Sequence, residues 1–333
     1  MISVKEILKY PTGAWCVKRI AARPLMISSI ARGFAQLKLK RYSILLNYYK
    51  NGEINWLTLI DDQDKINKLI LNKHKKDRHY WKREFKKWLK KERKISQIFN
   101  KLRKKEIENI PDKEVIEDMM GFFKLQFESR RVSSLIDPYT FASEKILTEL
   151  IRKFSENNPE VNQKEAFEIL TKPESASFLN KVEIDLIKIA KEIKKDRKLA
   201  EGFKIKKIPP PILRKIKEHI EKFPWLKVES FFGAKEYTVD DVFEHIKGLL
   251  EKDLDEEERK NNMWKENKSI KKKYLLKHKF NKDIISIIEL APLFAEWQDM
   301  RKINTLMSTY IYSKYMKEIS RRKGVEEDSI AYL

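Results

Sequence analysis

The sequence predicts a mainly α-helical protein, a multi-helix domain with a small N-terminal β-hairpin or sheet at residues 42–60. Glycine is scarce, with 8 in 333 residues, and charged residues make up 37% of the chain. This composition favours helices over a fold with many tight turns. Apolar residues recur at helical spacing along most of the chain beyond residue 63, whereas two β-prone runs flank an Asn-Gly pair nearer the N-terminus.

The first predicted elements lie before residue 61. Residues 14–40 have a helical pattern that is broken at Pro24. The β-prone runs 42–49 and 54–60 then flank Asn51-Gly52, which supplies the positive φ angles of a type I′ turn. Because an isolated two-stranded hairpin is rarely stable, we expect these strands to join a small sheet or to pack on helices.

The pattern from about residue 63 to residue 106 is helical and has one apolar face. Its apolar side chains follow alternating steps of four and three residues, interrupted only at Glu92: Trp81, Phe85, Trp88, Ile95, Phe99 and Leu102. Such a stripe faces a partner helix or the core.

The rest of the chain predicts further helices separated by proline and glycine signals. They are expected at about 112–134, 137–157, 164–170, from 176, 211–222 and 239–251. Residues 252–282 carry mostly charge with little apolar periodicity and indicate a solvated helix or a mobile connector. A last helix should run from Asp283 to about Arg322, with Pro292 kinking or dividing it and Gly324 ending it.

The charge of the chain is distributed unevenly. The first 105 residues hold 28 Lys and Arg against 8 Asp and Glu, while the other 228 hold 44 against 42. The sequence therefore suggests a basic N-terminal region, 1–106, and a helical domain, 107–333, with the charged connector near 252–282. Net charge reports on partners, and phosphate is the leading candidate. The alternative is a compositional bias typical of a thermophile or an AT-rich genome.

Several kinds of chemistry have no sequence signal. Cys16 is the only cysteine, which excludes an intrachain disulfide and indicates a reducing compartment, so we expect a cytoplasmic protein without a membrane span. No phosphate-binding glycine loop occurs, and we expect no cofactor, no metal site and no catalytic residue. His74 and His79 lie in a lysine run and should be solvated, and His219 and His245 should lie on helix surfaces.

The predicted basic helix of residues 73–105 is the best candidate for binding an anion. It has 16 Lys and Arg against 3 acids, with aromatic residues between them. One interpretation is that its cations bind a phosphate backbone while an aromatic ring stacks on a base. The other is a buried aromatic seam with a solvated basic face. The candidate contacts for phosphate or nucleic acid are Lys82, Arg83, Lys86, Lys87, Lys90, Lys91 and Lys94.

The last predicted helix carries charges among apolar residues. Glu296, Asp299, Arg301 and Lys302 lie near Trp297 and other large side chains. Charges on such a helix form buried pairs or contact another domain. A pair of carboxylates in a cleft could also act as a base.

Three segments resemble proteins related to phosphoenolpyruvate synthase and pyruvate phosphate dikinase. Residues 296–304 and 312–333 are similar to the helical segment that precedes the mobile phosphohistidine domain of that family. Residues 172–183, together with the helix after them, resemble its central segment. His219-Ile-Glu-Lys-Phe-Pro-Trp-Leu226 is similar to its short element that runs from His to Trp-Leu.

The resemblance implies an architectural role. In that family an ATP-grasp domain phosphorylates a histidine on a swivelling domain, yet none of those catalytic motifs occurs in this chain. It therefore implies a non-catalytic helical scaffold that docks a swivelling phosphohistidine domain, or another anionic protein surface, as part of a phosphotransferase. The alternatives are a nucleic-acid-binding helical protein that uses the basic helix, and a protein-interaction module with no ligand.

Overall fold

The computed structural model describes residues 12–18, 45–50, 53–133, 136–228 and 235–326 of the chain. Helices dominate these residues, so the mainly α-helical class is confirmed. Within this part of the chain, no helix has both the length and the apolar character of a membrane span. The α-helices, in chain order, are α1 (Ile60–Lys76), α2 (Tyr80–Arg103), α3 (Asp112–Ser133), α4 (Ile136–Glu156), α5 (Gln163–Thr171), α6 (Phe178–Lys194), α7 (Arg197–Lys204), α8 (Pro210–Lys222), α9 (Val239–Leu250), α10 (Leu254–Asn262), α11 (Trp264–His278) and α12 (Lys282–Lys323).

Three strands precede the first helix: β1 (Thr12–Lys18), β2 (Leu45–Lys50) and β3 (Glu53–Leu59). They pair antiparallel in the order β1-β3-β2. The Asn51-Gly52 turn that the sequence predicts between β2 and β3 lies outside the described residues and stays a prediction. Residues 14–18 belong to β1, so the helix predicted from residue 14 is wrong there, because pairing with β3 keeps this backbone extended.

The described residues divide into two compact units. The first contains the three strands together with residues 60–133, 136–167 and 280–326, and the second contains 168–228 and 235–279. The first unit is therefore discontinuous along the chain, because the second is inserted between its two parts. The boundary that the sequence suggests near residue 106 falls inside the first unit, between α2 and α3.

The core of the first unit forms around α2, which packs against α3 and α12. The predicted apolar stripe of α2 is confirmed, since all six of its apolar side chains are buried. Its aromatic rings meet Trp297 of α12, with ring centroids 5.3 Å from Phe85 and 5.7 Å from Trp88. The indole N–H of Trp88 donates a hydrogen bond to the backbone carbonyl of Ser129 in α3 at 3.2 Å. Large aromatic rings in edge or tilted contact supply most of the stabilisation of such a core.

Helix α12 has 42 residues and is about 63 Å long. It is not divided at Pro292, because buried side chains on both sides of the proline, including Leu290 and Phe294, hold the adjoining turns in the core. Gly324 ends the helix in the left-handed conformation, with φ of 64°, and its N–H donates to the Ser320 carbonyl. The predicted helix end at Gly324 is therefore confirmed.

The second unit contains α6 to α11. The predicted apolar face of α6 is confirmed, since its members are buried: Val182, Leu186, Ile189, Ala190 and Ile193. The charged segment 252–282 contains α10 and α11. Of the two predicted alternatives, a helix or a mobile connector, the structure therefore has the helix. Helix α11 buries polar side chains, and its Lys271 ammonium donates to the Lys172 carbonyl at 3.0 Å and pairs with Glu174 at 2.7 Å.

Candidate functional site

The exposed side of α2 carries all the residues that the sequence marks as phosphate or nucleic-acid contacts. Because the apolar stripe of this helix turns inward, its other positions face solvent. The seven predicted contacts are exposed: Lys82, Arg83, Lys86, Lys87, Lys90, Lys91 and Lys94. We refer to these seven residues and the exposed Arg93 as the basic face.

Two cations of the basic face have local partners. Arg83 forms an ion pair with Asp77, with Nη1 3.3 Å from Oδ1, and this hydrogen bonding lowers the pKa of Asp77. Lys87 Nζ lies 2.7 Å from Glu84 Oε1. The remaining five lysines make no ion pair with any residue that the structure describes: Lys82, Lys86, Lys90, Lys91 and Lys94.

The aromatic residues between these cations are turned away from solvent. Trp81, Phe85 and Trp88 are at most 5% exposed. Tyr80 is partly exposed, but its ring packs edge-on against Trp81 with centroids 4.9 Å apart, and the Lys73 ammonium lies 4.5 Å from its centroid. The buried-seam interpretation of these aromatics is therefore confirmed, and the seam offers no free ring to a base.

A buried carboxylate lies on the inner side of the same helix. Glu92 continues the apolar stripe and is only 6% exposed. The Ser129 hydroxyl of α3 donates a hydrogen bond to one carboxylate oxygen, and the Asn304 amide of α12 donates to the other. Burial raises the pKa of Glu92 to about 7. The sequence signal for this site was its spacing, four residues after Trp88 and three before Ile95, which keeps Glu92 in the stripe.

Two guanidinium groups lie on the helices around this carboxylate. Arg130 Nη2 donates to Thr305 Oγ1 at 3.0 Å, and burial, helped by the positive charge of Arg301, lowers the pKa of Arg130 to about 10. Arg301 binds both carboxylate oxygens of Asp137, at 2.8 and 2.5 Å, and donates to the Ser133 carbonyl at 3.2 Å. Arg301 thus fastens α12 to α3 and α4.

The other three α12 candidates lie nearer to solvent. Glu296 and Lys302 are exposed, and Asp299 is partly exposed. Neither carboxylate is buried, which argues against the hypothesis that Glu296 and Asp299 form a catalytic pair in a cleft.

The second unit holds a buried histidine. His219 Nδ1 lies 2.9 Å from Asp185 Oδ2, and its Nε2 lies 3.3 Å from the Tyr237 hydroxyl oxygen. Burial lowers the pKa of His219, and the hydrogen bond that Asp185 accepts from its ring opposes that effect. The predicted helix-surface position of His219 is wrong, because its ring fills the space between α6 and Tyr237. His245 is exposed as predicted and lies 2.9 Å from Glu183.

A second histidine also differs from the prediction. His74 is only 4% exposed, and its Nε2 lies 3.1 Å from Glu289 Oε2. The surrounding lysine run indicated solvent, yet His74 lies one turn after the buried Ile70 and shares its face of α1. His79 is exposed, as predicted.

Neither a metal-binding group nor similarity to a known protein indicates a function for the described residues. Across the described ranges, no group of three or more His, Cys, Asp or Glu side chains is placed to hold a metal ion. Comparison of the chain with protein families, with characterised proteins and with solved structures finds no match.

Proposed function

We propose that this chain is the non-catalytic helical scaffold of a phosphotransfer protein of the phosphoenolpyruvate-utilising type, and that it docks a swivelling phosphohistidine domain. The observation that carries the proposal lies in the second unit. Two of the segments that resemble that family, 172–183 and 219–226, pack on each other there. The rings of Phe178 and Trp225 meet edge-on with centroids 5.7 Å apart. Because the two segments contact each other in one core, they support the resemblance to that family better than two segments that lie apart would.

The same contacts support a structural role for these residues. The His219 side chain is fully buried and is held by Asp185 and Tyr237. A phosphoryl donor could not reach a ring so enclosed. We therefore assign the phosphoryl chemistry to a partner domain and the positioning of that domain to this chain.

The third resembling segment begins at Glu296 on α12 and suggests where the partner binds. Glu296 and Lys302 point outward on this helix, while Arg301 holds the helix in place through Asp137. We infer that the swivelling domain docks on α12 through Glu296 and Lys302.

A labelling experiment tests the absence of catalysis. The chain is incubated with radiolabelled ATP or phosphoenolpyruvate, and both ATP hydrolysis and protein-bound label are measured. We expect neither. Label on any of the five histidines of the chain would contradict the proposal.

A binding experiment tests the docking surface. An isolated swivelling domain of a phosphoenolpyruvate synthase is titrated into the chain by calorimetry. Lys302→Glu should weaken binding by about fivefold, because an exposed ion pair contributes up to about 1 kcal/mol. Lys317→Glu is the control, since Lys317 is also exposed on α12. Absence of binding, or an equal loss in both variants, would refute docking at this surface.

A further inference from the structure

The basic face of α2 is arranged as two rows of cations. Lys82, Lys86 and Lys90 follow one another at intervals of four residues, which places a charge about every 6 Å along one flank of the helix. A second row on the other flank consists of Arg83, Lys87, Lys91 and Lys94. Helix α2 has 24 residues and is about 36 Å long, and the two rows together span residues 82–94, about 18 Å of that length.

The acidic residues of α2 balance only one of these charges. The two acidic residues of the helix are Glu84 and Glu92, of which Glu92 is buried and Glu84 pairs with Lys87. Elsewhere in the described residues, Lys191 of α6 and Lys215 of α8 each pair with a carboxylate of another helix. On the basic face, in contrast, five neighbouring lysines have no acidic partner among the residues that the structure describes.

The chemistry of the face narrows the class of partner. Single-stranded nucleic acid is bound largely by stacking of bases on aromatic rings. The rings of α2 are buried except that of Tyr80, which is partly exposed and packs edge-on against Trp81. A membrane surface requires an apolar face next to the cations, and α2 has no exposed large apolar side chain in the part of the chain described. A nucleic-acid duplex presents a regular array of phosphates and requires neither free aromatic rings nor an apolar face on its partner.

The dimensions of the helix fit one such array. An α-helix with its side chains is about 10–12 Å across, and the major groove of B-form DNA is about 12 Å wide with a phosphate row on each side. The major groove of A-form RNA is deep and narrow, so a helix of this diameter does not fit between its phosphate rows. We propose that the basic face binds double-stranded DNA, with its two rows on the phosphates that border the major groove and without reading the base sequence.

The salt dependence of binding tests the proposal. The full chain is titrated into a fluorescent 24-base-pair duplex between 50 and 300 mM NaCl. If the five lysines without partners each neutralise one phosphate, log affinity should fall with log salt with a slope of about −4.5. Replacing Lys86 and Lys90 by glutamine removes two contacts and should reduce the slope to about −2.7. Two duplexes of different sequence should bind equally.

A matched variant and two other probes decide the outcome. Lys272 and Lys273 of α11 are exposed, and replacing both by glutamine changes the net charge equally. This control should keep the slope of the unmodified chain. An equal loss in both variants, no binding to duplex at 50 mM salt, or tighter binding to single-stranded DNA or to vesicles with 30% phosphatidylserine would overturn the proposal. These outcomes are independent of α12, so failure here leaves the docking experiment unaffected.

Discussion

Replacing Glu92 with glutamine should stabilise the protein above pH 7 and change little near pH 5. Glu92 is buried on α2, where the Ser129 hydroxyl and the Asn304 amide bind its two oxygens. The amide of glutamine has the same shape, its oxygen can accept from Asn304, and its NH₂ group can donate to the Ser129 oxygen. The substitution therefore removes the titration of this side chain while keeping both hydrogen bonds.

The magnitude follows from the pKa. Burial raises the pKa of Glu92 from 4.5 to about 7, and one pKa unit corresponds to about 1.4 kcal/mol. Between these two pH values the folded protein keeps a proton that the unfolded chain has lost, so the free energy of unfolding decreases as pH rises. This decrease in the free energy of unfolding is complete above pH 7 and amounts to about 3 kcal/mol. Glu92→Gln should recover it at pH 8.

Thermal unfolding followed by circular dichroism at pH 5 and pH 8 measures this effect. At pH 8 the variant should melt roughly 6 to 12 °C above the unmodified protein, and at pH 5 the two should nearly coincide. Glu84→Gln is the control on the same helix and should shift both melts by only a few degrees. A Glu92→Gln variant less stable than the unmodified protein at pH 8 would refute the reasoning. It would show that Arg130 and the two donors favour the ionised carboxylate over the neutral one.

Two further substitutions test other buried charges. Arg301→Ala leaves the Asp137 carboxylate without its two hydrogen bonds and should cost about 3 kcal/mol in urea unfolding; a cost below about 0.5 kcal/mol would show that solvent replaces the pair. Lys271→Met removes the contacts to Lys172 and Glu174 and should destabilise the second unit by a similar amount. The exposed Lys272→Met is its control, and equal effects would contradict the assigned role.

Regular patterns along the chain predicted much of the fold. The steps of four and three residues in α2 identified a buried stripe, because a helix repeats every 3.6 residues and such positions share a face. Gly324 marked the end of α12, since the left-handed conformation there costs glycine least. The same regularity gave the exposure of the basic face, whose residues occupy the remaining positions of α2.

Contacts between distant residues could not be predicted in this way. Glu92 looked like an interruption of the stripe, because its partners Ser129 and Asn304 lie 37 and 212 residues away. Only the folded chain shows that two donors satisfy the carboxylate. Lys271 is similar: its buried position depends on the Lys172 carbonyl, 99 residues earlier. Burial of a polar group requires a partner, and one sequence does not disclose which partner that is.

The discontinuity of the first unit has a consequence for synthesis of the protein. Trp297, which packs against Phe85 and Trp88, follows the whole inserted second unit along the chain. More than two hundred residues must be translated after Trp88 before its partner Trp297 is made. Protein synthesis proceeds at about 5–20 residues per second. During that time the second unit can complete its own core, whereas the part of the α2 stripe that packs against α12 stays uncovered. The core of the first unit is therefore completed only after α12 has been made, although α2 is made early.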